Sequence, residues 1–106
     1  DTESHAKRLA ESLVQHRLAA CVQIEGPICS VYRWQGTVET AEEWRCTIKT
    51  TAALFDAVQK HICSLHPYDV PEIIATPIGH SGADYAQWVR EQVTENSQHE
   101  KKAESE

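Results

Sequence analysis

Apolar residues recur at helical spacing at the start of the chain, where Ala6, Leu9, Ala10, Leu13 and Val14 share one side and Lys7, Arg8, Glu11, Ser12 and Gln15 take the other. That spacing predicts an amphipathic helix over residues 1–17, with Asp1, Thr2 or Ser4 as its cap. The runs "LAACVQI" and "ICSVYRW" are rich in small, β-branched and aromatic residues. They predict two strands, or one long strand bent at the intervening "EGP". In "EWRCTIKT", Trp44, Cys46 and Ile48 alternate with Arg45, Thr47 and Lys49, which predicts a strand with one buried face and one polar face. The stretch "QGTVETAEE" is short enough as a turn to make these runs an antiparallel hairpin.

A second helix is predicted over residues 51–65, with Phe55, Val58, Ile62 and Leu65 along one side and Pro67 closing it. The run "EIIATPI" predicts a further strand, placed at least partly at a sheet edge by Pro77. After the loop "GHSGAD", Asp84 is the expected cap of a last helix, whose stripe is Tyr85, Trp88, Val89 and Val93. Residues 97–106 have no apolar periodicity and are expected to be a disordered tail behind a single domain over residues 1–96. The order of elements predicts an α+β sandwich, with helices on one face of a mainly antiparallel sheet. One strand placed ahead of the first helix would complete the β-α-β-β-α-β ferredoxin-like pattern with an added C-terminal helix.

Composition narrows the function. Of 106 residues, 41 % are apolar and 25 % charged, as expected of a folded globular chain. Sixteen acids against ten bases leave a net charge of −6, and no basic cluster is present, which argues against nucleic acid as a partner. No apolar run approaches the roughly 20 residues of a membrane helix and no signal peptide is visible, so a cytoplasmic location away from membranes is expected. Cys21, Cys29, Cys46 and Cys63 match no zinc-finger spacing and are expected to be free, mostly buried thiols. The sequence contains no methionine and opens directly on the helix signal.

Candidate chemistry gathers in "SLHPYDVPEII", residues 64–74. His66 follows the second helix, where an imidazolium would complement the helix dipole. Equally, Cys63 lies about one turn earlier, so a thiol and an imidazole share one face and suit a soft divalent cation. Pro67 and Pro71 stiffen the loop and aim Tyr68 and Glu72, and Lys49 is the natural partner for Glu72. His5, His16, His80 and His99 are scattered imidazoles, each able to hold copper or nickel weakly. No nucleophile has a base partner, "GHSGAD" lacks the spacing of a nucleophile elbow, and four glycines form no phosphate loop. The residues point to a binding protein, not an enzyme.

"RLAACVQI", "SVYRWQGTVE", "IKT", "HPYDVPEII" and "DYAQWV", in this order and at these distances, resemble the CutA family of divalent-cation tolerance proteins. The resemblance covers residues from about 6 to 93. It implies a ferredoxin-like fold in a homotrimer, with an architecture like that of the PII signalling proteins. It also implies copper or another divalent cation as ligand, with no organic cofactor. Residues matching Trp34, Lys49, Tyr68, Glu72, Tyr85 and Trp88 are implied to approach a cleft between subunits, suited to a small anionic or zwitterionic molecule or filled by an intersubunit ion pair. A PII-like sensor of such a molecule is the alternative function. CutA chains open with a strand similar to "VVLVTCP", some carrying a cysteine that joins a histidine pair as copper ligand. Here that strand is absent and the pair is reduced to Leu65 and His66, so the natural protein is expected to extend upstream.

Overall fold

The computed structural model describes residues 2–65 and 71–93. Of the three predicted caps, Thr2 starts helix α1 (Glu3–Gln15), its hydroxyl accepting from the His5 backbone N–H at 3.1 Å. Ala6, Leu9, Ala10 and Leu13 form the buried face, whereas Val14, expected in that stripe, is exposed at its margin. The helix ends at Arg17, whose φ of 58° is left-handed. There the Leu18 N–H reaches the Leu13 carbonyl at 3.0 Å, and the Arg17 N–H reaches that of Val14 at 3.0 Å. These bonds make a Schellman stop, with Leu13 and Leu18 packed together in the core as its apolar contact. The Arg17 guanidinium also donates to the Glu91 carbonyl at 2.8 Å, tying this turn to the far end of the chain.

Strand β1 (Cys21–Trp34) and strand β2 (Thr37–Lys49) form one antiparallel hairpin, paired from Cys21↔Lys49 to Trp34↔Thr37. The bent single strand is the alternative realised: the register shifts between Glu25 and Ile28, at Gly26 and Pro27. Gly26 is required there, since an added Cβ would lie 2.6 Å from Trp44 Cε3. The expected nine-residue turn is in fact two residues. Gln35 (φ 50°) and Gly36 (φ 82°) supply the consecutive positive φ values of a type I′ turn, so "TVETAEE" continues the ladder.

A short 3-10 turn (Ala52–Leu54) leads into helix α2 (Phe55–Leu65), which buries Val58 and Ile62 and leaves Leu65, at the end of the predicted stripe, exposed. Helix α3 (Ala83–Gln92) starts from Gly82, and Asp84 lies in its first turn, not at the cap. Its acidic side chain still complements the positive end of the helix. Leu9, Leu13, Leu18, Ala19, Ala20, Leu54, Val58, Ile62, Val89 and Val93 make the core, with Val22, Ile48 and Ile73 against it.

Among the described residues the sheet has two strands. The expected strand over 72–78 is not formed, and Ile74 (76 %) and Ile78 (67 %) are exposed. A strand needs a neighbour for its backbone N–H and C=O groups. Among the described residues the sheet is the pair β1 and β2, and no strand lies beside this segment. The architecture is α+β and consistent with the ferredoxin-like fold.

Leu13 is fully buried, so Leu13→Ala should destabilise the fold by about 2–5 kcal/mol in chemical denaturation. Gly26→Ala should cost about 1–3 kcal/mol by forcing the Trp44 ring aside, and the near-ultraviolet dichroism of the tryptophans should report that shift.

Candidate functional site

The predicted site residues that are described fall in five places. Trp34 ends β1 beside the hairpin tip and is 41 % exposed. Lys49 ends β2 at the hairpin base, half-buried and opposite Cys21. Thirteen residues of β2 separate the tip from the base. At about 3.3 Å per residue this is about 40 Å, so Trp34 and Lys49 of one subunit do not meet. Tyr85 and Trp88 stand together on the outer face of α3, their ring centroids 5.7 Å apart and tilted by 31°. Glu72 is exposed on the unpaired segment. The expected pairing of Glu72 with Lys49 is not made among the described residues.

Cys63 is an exposed free thiol in the last turn of α2. His66 and Tyr68 lie outside the described residues, as does the tail over 97–106. Among the described residues no three His, Cys, Asp or Glu side chains converge on a point where a metal ion could sit. All four cysteines are free, but the expected burial holds only in part: Cys21 and Cys46 are half-buried, while Cys29 and Cys63 are exposed. Burial pushes the Cys46 thiol up, away from the reactive thiolate.

A constellation not singled out from sequence joins α1 to α2. The Ser12 hydroxyl lies 2.7 Å from His61 Nε2, and His16 Nδ1 lies 2.8 Å from the Ser12 carbonyl. The two imidazole rings pack at 4.9 Å between centroids, tilted by 50°. Beside them opens a cavity of about 380 Å³ lined by His16, Leu18, Ala57, Lys60 and His61. Loss of water around His61, then repulsion from His16, lowers the His61 pKa. The Ser12/His16 spacing of one helical turn was the visible part of this arrangement. Its third member is 49 residues away, where local periodicity gives no signal.

Residues 1–92 match the model of the family described as CutA1 divalent ion tolerance protein. The divalent-cation tolerance protein CutA of Thermus thermophilus is 43 % identical over 90 residues, covering 85 % of this chain and 87 % of that one. A solved structure of the Thermus protein superposes with a TM-score of 0.85 at 42 % identity, covering 87 % of this chain and 89 % of the other. The human protein CutA is 44 % identical over 94 residues; the match takes in 89 % of this chain and 52 % of the human one, so the chain spans about half the length of that relative. A structure from Archaeoglobus fulgidus, described as a periplasmic divalent cation tolerance protein CutA, superposes with a TM-score of 0.83 at 34 % identity over 86 % of this chain and 88 % of its own.

A folded-state pKa below the unfolded value means that the unfolded chain binds the extra proton first. His61 therefore favours the fold when neutral, above the unfolded value near 6.5, and this contribution is lost as pH falls through 6.5 towards the lowered folded value. Denaturation midpoints should drop across that window, and His61→Gln should flatten the drop.

Proposed function

The chain belongs to the CutA1 divalent ion tolerance family, and from that membership we propose that it binds copper or another divalent metal ion as a homotrimer. The observation that supports assembly is the apolar surface a single subunit leaves in water. Val31 and Val38 are 66 % and 59 % exposed on one face of the hairpin arm, with Trp34 exposed on the other, and Ile74 and Ile78 protrude from the unpaired segment. Exposed apolar side chains gathered on an arm that its own core does not cover support an interface there. Separation of Trp34 from Lys49 supports the same reading: a cleft containing both takes them from different subunits.

In this reading the metal ligands are Cys63 and His66, a thiolate and an imidazole at the end of α2. Two ligands from each of three subunits would give the softer cations enough donors. Trp34, Lys49, Tyr68, Glu72, Tyr85 and Trp88 line the intersubunit cleft, where aromatic walls flank one cation and one anion. No catalysis is assigned. Four free thiols support a reducing compartment, and we place the protein in the cytoplasm, although the archaeal relative is described as periplasmic.

Trp34→Ala should shift the assembly from trimer towards monomer in multi-angle light scattering; a variant that stays trimeric counts against the arm as the contact. Copper titration by calorimetry should saturate at a whole number of ions per subunit and lose that step in His66→Ala. If the step survives and an anionic metabolite binds with Lys49 dependence instead, the PII-like sensor is the better description.

A further inference from the structure

Ser12, His16 and His61 form a cluster that the family reading leaves unused. A backbone carbonyl only accepts hydrogen bonds, so His16 must carry its proton on Nδ1 to reach the Ser12 carbonyl at 2.8 Å. Nε2 of His16 is then the nitrogen with the lone pair. Histidines that bind metals are oriented in this way, with the second ring N–H held by a carbonyl or carboxylate. His61 Nε2 meets the Ser12 hydroxyl at 2.7 Å, and when that hydroxyl donates, the nitrogen facing it is again the one with the lone pair.

The spacing of the rings is compatible with one ion, once His61 Nε2 gives up its hydrogen bond to the Ser12 hydroxyl. Metal–nitrogen bonds of 2.0–2.1 Å put each ring centroid about 3.2 Å from the metal, which sets two centroids about 4.5 Å apart at a right angle and about 5.2 Å apart at the tetrahedral angle. The observed 4.9 Å lies between these values. Both rings line a cavity open to solvent, where water can complete the coordination. Lys60 lines it too, and the flexible four-carbon stem of a lysine lets its charge remain in water away from an ion.

We propose that His16 and His61 together form a site for one borderline divalent cation, Cu2+ or Zn2+, on the face where α1 meets α2. This site takes no residue from the Cys63/His66 pair, and either can fail without the other.

The test is a Cu2+ titration of the chelator-treated protein by calorimetry and electron paramagnetic resonance. One ion per chain, in addition to any held by Cys63 and His66, should bind with hyperfine coupling to two imidazole nitrogens, and this signal should persist in His66→Ala and Cys63→Ala. His16→Gln and His61→Gln should each weaken it more than about 100-fold, beyond the 10–100-fold that loss of a mere supporting contact costs. Ser12→Ala, which removes the competing hydroxyl but keeps the carbonyl, should retain binding. Unchanged affinity in both glutamine variants, or loss confined to His66→Ala, would overturn the site. Should the glutamine variants unfold, Zn2+ titration of the unmutated protein still decides. Ring-nitrogen resonances of His16 and His61 should move before that of His80, and movement only at other histidines would sink the proposal.

Discussion

Pairing of β1 with β2 is the constraint on which the rest of the structure depends. Twelve residue pairs join the strands, so a slip of one residue would turn every side chain to the opposite face. Two devices exclude the slip. At the tip, Gln35 and Gly36 accept the backbone angles of a two-residue turn. At the base, the Ala20 N–H bonds the Lys49 carbonyl at 2.9 Å and the Thr50 hydroxyl bonds that of Leu18 at 2.7 Å. With the register held, Val22 and Ile48 face the helices and extend the core laid down by Leu9, Leu13, Val58 and Ile62.

The same pairing divides the molecule by environment. Near its base the hairpin lies over the helical layer and is half-buried, whereas from Val31 to Thr40 every residue is exposed. A two-stranded ribbon is marginal in water by itself. The arm draws nothing from the core of its own subunit, which is why its valines, Tyr32 and Trp34 carry meaning only when another surface is considered. The bare isoleucines of the 72–78 segment raise the same question.

Much of this was legible in the sequence, because it rests on local spacing. The α1 stripe, the Thr2 cap and the alternation around Cys46 follow from interactions within a turn or a strand. Extension of β2 back to Thr37 was not legible, since an arm exposed on both faces has no apolar alternation to betray it. Residues 72–78 show a sound strand composition, but pairing is a property of the whole sheet and not of the segment, and among the described residues no strand lies beside them. The candidate site divides in the same way. Its candidate residues come from the sequence, but the distance from Trp34 to Lys49 follows from hairpin length, and the meeting of His61 with Ser12 and His16 depends on how two helices pack.

Arg17 carries a consequence of its own. A left-handed residue at a helix stop is usually glycine, and a side chain there costs about 1–2 kcal/mol. Its guanidinium spans from the end of α1 to the Glu91 carbonyl in the last turn of α3, which otherwise enters the core chiefly through Val89 and Val93. A single side chain thus works as a latch between the two extremes of the described chain. One solvent-exposed hydrogen bond joins the stop of the first helix to the last turn of the third, across 74 positions of sequence.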